Sequence, residues 1–141
     1  MELARSCRYA VQGLVHLAQK ARPGEPLLLR DIAAAIGAPE AFLSKIFQGL
    51  RAAAIVRSHR GIARGYSLAK DPAMIALYDV VLATEGQASL HSSDLFGGGK
   101  GEEAFTSLWR DVENVVAARL RQTTLKDLAS PPQGKTEKTE A

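Results

Sequence analysis

Between Leu27 and Ala69 the hydrophobic repeat switches from helical to alternating, and the order of those two patterns limits the fold more than anything else in the chain. Leu29, Ile32, Ala33 and Ile36 keep helical spacing within the segment Leu27 to Ile36. Gly37 follows at a natural left-handed C-cap position, and Pro39 stands where a first helical residue belongs. A second helix, Pro39 to about Ala54, puts Phe42, Leu43, Ile46 and Leu50 on one apolar face. At Ile55 the period shortens to two. Ile55 to Arg60 and Tyr66 to Ala69 read as the strands of a hairpin whose turn is bracketed by Gly61 and Gly65. Helix, glycine turn, helix and hairpin is the order of a winged helix-turn-helix.

The flanks fit a mainly α fold around that unit. Leu3 to Ala21 carries Ala10, Leu14, Leu17, Ala18 and Ala21 at helical offsets and ends at Pro23-Gly24. Asp71-Pro72 is a capping signal, and Ile75 to Thr84 is a short helix stopped by Gly86. Residues 87–101 have no period and include Gly97-Gly98-Gly99-Lys100-Gly101, so they are expected to form a flexible loop. A long helix then runs from Glu102 to Gln122, and Thr124 to Asp127 is a capping box opening a short final helix. The expected organisation is a DNA-binding domain at 1–86, the loop at 87–101, a long and a short helix at 102–129, and a disordered tail at 130–141.

Charge divides the chain. Residues 1–70 hold 11 Lys and Arg against four Asp and Glu, a balance of +7; the remainder holds 7 against 11, a balance of −4. A basic first half points to a polyanionic partner. Other classes fall away. One cysteine, Cys7, rules out an internal disulfide and any zinc or iron–sulfur site built from this chain's thiolates alone. Three histidines spread along the chain offer no catalytic grouping, so the chain is read as a non-enzyme. No apolar run reaches the roughly 18 residues of a membrane span, and the first residues lack a signal-peptide core, which gives an expectation of a cytoplasmic protein. His91 and Asp94 are metal-ligand types without visible partners, and the glycines at 97–101 miss the spacing of a phosphate loop. No metal or cofactor is expected.

Double-stranded DNA is the partner these residues suit. On the second helix, Ser44 and Gln48 lie one turn apart opposite the apolar face, flanked by Lys45 and Arg51. Gln pairs bidentately with adenine, and Ser or Lys contacts bases or phosphates. The hairpin carries Arg57, His59, Arg60 and Arg64 around a tip able to enter a minor groove, where negative potential favours arginine. Arg30, at the start of the first of the two helices, completes the candidate DNA-binding set. The competing reading is a solvated helix face beside an ordinary surface hairpin.

In several places the chain resembles the Rrf2 family of bacterial transcription regulators. Leu3, Tyr9-Ala10, Leu14 and Leu17-Ala18 look like its first helix, and Asp31-Ile32-Ala33, Ile36, Leu43-Ser44-Lys45-Ile46-Phe47 and Leu50-Arg51-Ala52-Ala53 like its helix-turn-helix. Ile55 to Gly61 and Gly65 to Ala69 resemble its wing strands, and Asp79 to Gly86 the helix that follows. The resemblance implies a homodimer, with Ser44, Lys45 and Gln48 reading bases, Arg60 and Arg64 on the wing, and the long helix crossing its twin. Residues 87–101 would be the sensor region; cluster-binding members carry three cysteines there, and this stretch has none. Arg64 replaces a glycine that many relatives have, making the wing more basic.

The residues support a dimer independently. Phe105, Leu108, Val112 and Val116 on the long helix, with Val115 and Trp109 nearby, exceed what a small three-helix domain covers. The alternative is that this helix folds back on its own domain. Cys7 is a candidate redox switch, since Arg8 and a helix N-terminus would both lower a thiol pKa; its other reading is a small half-buried residue without a role. A small molecule, a thiol change or a protein partner is expected to modulate binding, most often repression. A different class of function, a winged-helix module docking onto an enzyme, stays open.

Overall fold

The computed structural model describes residues 3–62, 64–86, 90–91 and 101–130. Most of the expected loop at 87–101 and the tail from 131 lie outside the described residues. Helix α1 (Arg5–Lys20) buries Cys7, Ala10, Gly13, Leu14 and Leu17 along one stripe. It has no side-chain cap of its own; instead the backbone N–H of Ala4 donates to Glu85 Oε1 at 2.6 Å. Helix α2 (Leu29–Ile36) ends at Gly37, whose φ of 72° and ψ of 31° are the left-handed cap anticipated from sequence.

Leu27 is not helical. It pairs with Tyr66, exchanging N–H to O bonds of 2.9 and 2.8 Å, so the segment before α2 acts as a one-residue third strand beside the wing. Helix α3 (Glu40–Ala52) takes Pro39 as its N-cap rather than its first residue. Its core face is Leu43, Ile46, Phe47 and Leu50. Phe42, expected inside, is 36% exposed, and Phe47 is fully buried in its place. At 100° per residue the two rings flank the Leu43, Ile46 and Leu50 stripe on opposite sides at nearly equal angles, so spacing does not choose between them; the room at Gly13 and the Tyr66 ring take Phe47 inside and leave Phe42 on the outer flank. There it meets Tyr9 edge-on, with centroids 5.7 Å apart.

Strands β1 (Val56–His59) and β2 (Gly65–Leu68) pair antiparallel, from Val56 opposite Leu68 to His59 opposite Gly65. The Phe47 and Tyr66 rings, 5.1 Å apart at 70°, fasten β2 to α3. Asp71 then caps a short 3-10 turn, Pro72–Met74, by accepting the Ala73 N–H at 2.8 Å. Helix α4 (Leu77–Glu85) follows, and α5 (Glu102–Gln122) packs against it, burying Glu113 and Ala117.

The chain then returns to its starting core. Thr123 accepts the Leu77 N–H at 2.8 Å, and Ile75 accepts the Leu125 N–H at 2.9 Å. Helix α6 (Leu125–Ala129) has the expected capping box: Thr124 Oγ1 accepts the Asp127 N–H while the Asp127 carboxylate accepts the Thr124 N–H. Those bonds from Thr124 hold the Asp127 carboxyl below its ordinary pKa. Leu125 sits in one cluster with Leu14, Leu17, Ile32, Phe47, Leu50 and Val80. At about 1.5–3 kcal/mol per large apolar side chain, this cluster is the main stabilising term. Among the described residues no helix is long and apolar enough to cross a membrane.

Candidate nucleic-acid interface

The burial pattern of α3 decides which side chains it can offer to a duplex. With Leu43, Ile46, Phe47 and Leu50 inward, Lys45 and Gln48 are exposed, with Ala41 beside them one turn earlier. Ser44 is half-buried at the edge of this face, and the Gln48 amide donates to Ser44 Oγ at 3.3 Å. The pair is a polar unit whose donor is free to exchange a side-chain partner for a base edge. Glu40, in the first turn, favours the positive helix N-terminus.

The Phe47–Tyr66 contact holds the wing beside this helix, and Leu27 and Tyr66 tie it to the start of α2. Between the starts of α2 and α3 and the wing runs an open cleft of about 450 Å³ that gathers Arg30, Glu40, His59 and Arg64. His59 is half-buried, and its Nε2 lies 2.7 Å from Ser67 Oγ. One ring nitrogen is thereby engaged inside the hairpin, and the histidine braces the wing as well as lining the cleft. Arg60 is exposed near the tip, where Gly61 has φ of 88°.

On the other side of β1 a second cleft, about 540 Å³, brings Arg51 at the end of α3 together with Arg57 and Lys70. Lys70 is the residue that sequence reasoning left out. It counted towards the basic half, but only the folded chain brings it into one cleft with Arg51 and Arg57. The candidate cations therefore form two groups flanking the wing, Arg30 and Arg64 on one side and Arg51, Arg57 and Lys70 on the other. In protein–DNA complexes generally, phosphate contacts from cations set register and contribute much of the affinity, while contacts to base edges carry the sequence information.

Comparison with known proteins shows the family. A family model described as an iron-dependent transcriptional regulator, Rrf2, matches residues 3–131. The chain belongs to the Rrf2 family. Rv1287 of Mycobacterium tuberculosis, named as an HTH-type transcriptional regulator, is 37% identical over 133 residues, spanning 92% of this chain and 81% of that one. IscR of Escherichia coli, also an HTH-type transcriptional regulator, is 32% identical over 132 residues with the same coverage. Among solved structures, CymR, the global cysteine regulator of Bacillus subtilis, superimposes with a TM-score of 0.76 at 32% identity, covering 92% of this chain and 96% of its own. An IscR from T. potens gives 0.73 at 29% identity, covering 97% and 96%. This Rrf2 chain is accordingly a DNA-binding transcriptional regulator and not an enzyme.

The iron in the family's description does not fit the donors of this member. Its one thiol, Cys7, is fully buried between Val81 and Leu90. His91 Nε2 faces the Tyr78 hydroxyl at 3.3 Å, and Asp94 lies outside the described residues. Among the described residues no three His, Cys, Asp or Glu side chains group as metal ligands. A thiolate-held cluster needs soft ligands that the sequence lacks.

The expectation of a lowered Cys7 pKa is overturned. Burial raises it, outweighing the hydrogen bond to Thr84 that pulls the other way, and the Glu85 charge raises it further. The Arg8 side chain points to exposed surface while Cys7 points inward.

Helix α5 presents the remaining candidates. Phe105, Leu108 and Val115 are 56%, 59% and 70% exposed, whereas Val112 and Val116 are half-buried. The Phe105 and Trp109 rings stack nearly parallel at 6.2 Å. Folding back onto the chain's own domain accounts for the α4-facing side at Glu113 and Ala117, and leaves Phe105, Leu108 and Val115 exposed to solvent.

Proposed function

We propose that this chain is a homodimeric repressor that grips a pseudo-palindromic operator, works in the cytoplasm, and responds to a signal other than a cysteine-ligated cluster. The observation that carries the reading is the pairing of the Lys45–Gln48 face on α3 with an apolar ridge on α5 that is exposed at Phe105, Leu108 and Val115 and half-buried at Val112. Phe105, Leu108, Val112 and Val115 follow a three-four-three spacing, the repeat that lets two helices interdigitate. A two-fold dimer would carry two copies of α3 to successive major grooves, with Arg60 and Arg64 of each wing against the flanking minor groove. Repression is the direction that needs only occupancy of the duplex.

The test is to sequence the genomic fragments that purified protein retains and to weigh the complexes. An inverted repeat bound by two copies, with reporter expression rising when the gene is deleted, is the expected result. Retention without any shared sequence, or one copy per site, would overturn the reading.

A further inference from the structure

A third cleft, about 440 Å³, lies where the end of α1 and the following loop meet β2 and the 3-10 turn; α3 contributes nothing to it. Its floor is mainly apolar, with the buried Ser67 hydroxyl already engaged by His59. Leu17 is buried there, and Ala18, Ala21 and Leu68 are half-buried. Its rim carries Arg22, Arg57 and Lys70 against two acids, Glu25 and Asp71. Both carboxylates already hold backbone donors: Glu25 accepts the Arg22 N–H at 3.3 Å, and Asp71 accepts the Ala73 N–H at 2.8 Å. The cations therefore outnumber acids whose acceptor oxygens are partly engaged. An apolar floor under a cationic rim, with a volume in the range of about 300–1,000 Å³ typical of small-molecule sites, suits one ligand chemistry. We infer that this cleft binds a small amphiphilic carboxylate, its apolar body over Leu17 and Ala21 and its carboxylate against Arg22 and Arg57.

Occupancy would act on DNA through shared charges. Arg57 and Lys70 line this cleft and also the one beside Arg51, so both clefts draw on the same two cations. A carboxylate held there neutralises charge that phosphates would otherwise use, and the ligand lowers operator affinity. By linkage, DNA weakens the ligand by the same factor, on the order of tenfold. This coupling rests on the DNA-binding reading of the wing edge; ligand binding itself does not.

The two parts are tested separately on the full chain. Calorimetry without DNA uses octanoate and benzoate as probes, with acetate and inorganic phosphate as anions lacking an apolar body. Octanoate or benzoate is expected to bind with a Kd below about 100 μM, and acetate and phosphate not at tenfold higher concentration. Arg22→Glu, at an exposed loop position, should abolish binding while circular dichroism shows an intact fold. No binding by either probe, equal binding of phosphate, or binding unchanged in Arg22→Glu overturns the site. In gel shifts on a retained fragment the binding probe should then weaken the complex about tenfold; a probe that binds the protein and leaves the complex unchanged overturns the coupling alone.

Discussion

A Cβ on Gly65 would overlap the carbonyl oxygen of Leu27, and the φ of 132° at Gly65 is one that L side chains rarely adopt. The close approach is what lets Leu27 and Tyr66 exchange two hydrogen bonds and fixes the wing against the start of α2. Gly65→Ala must therefore open that pair as well as strain the backbone, and should cost about 3 kcal/mol or more. Gly61, with φ of 88° but open space around it, is the control, and Gly61→Ala should cost only about 1 kcal/mol. Urea unfolding of the two variants checks the difference; equal losses would show that backbone conformation alone matters at Gly65.

Cys7 should behave as an inert thiol. Burial raises its pKa in the folded chain above the ordinary 9.0, so the neutral thiol is favoured by the native state. The associated stability is fully present below pH 9 and is lost as pH rises through the raised native value. Alkylation by iodoacetamide at pH 8 should be slow in buffer and should accelerate at least tenfold in denaturing urea, since thiolate and access both increase. Fast modification of the native protein would restore the redox reading.

Most of the framework was legible because it depends on local spacing. The αL glycine at 37, the hairpin, the Thr124–Asp127 box and the long helix each follow from residues close in sequence. Spacing puts Phe42 on the core face and leaves Phe47 without a place, because both are aromatic and near the same stripe, and Gly13 settles which is inside. A Cβ at Gly13 would stand 3.0 Å from Phe47 Cε1, so the absence of a side chain on α1 makes room for that ring. Such a pairing spans two helices and has no periodic signature. Glu85 capping the start of α1 from 81 positions away, and Lys70 joining Arg51 and Arg57, were hidden for the same reason.

The two kinds of contact at the interface should separate experimentally. Arg60→Ala and Arg64→Ala each remove a charge that the proposed complex sets against phosphate or minor groove, and each should lower the slope of log affinity against log salt by about 1. Gln48→Ala removes the proposed base reader and its bond to Ser44; it should leave the salt slope unchanged and relax sequence preference at one position per half-site, a loss of about 1–3 kcal/mol in discrimination. Titrations at several salt concentrations and selection from a random duplex pool measure these two quantities. If Gln48→Ala selects the same sequences as the wild type, α3 is not the reading element.

The uncovered ridge on α5 makes the sharpest demand on the assembly. Leu108 is 59% exposed in the single chain and lies between Phe105 and Val112 at three- and four-residue spacing, a central position in the proposed pairing of two copies. Leu108→Glu places a charge in that seam and leaves the chain's own core untouched, because Leu108 takes no part in the cluster around Phe47 and Leu125. In a dimer each seam would hold two such carboxylates, and desolvating an unpaired charge is costly enough to separate the copies. Sedimentation should show dimeric wild type and monomeric Leu108→Glu with unchanged helicity. Operator affinity should fall at least 100-fold, because a lone α3 gains only half of the contacts. A Leu108→Glu protein that remains dimeric would remove α5 from the interface.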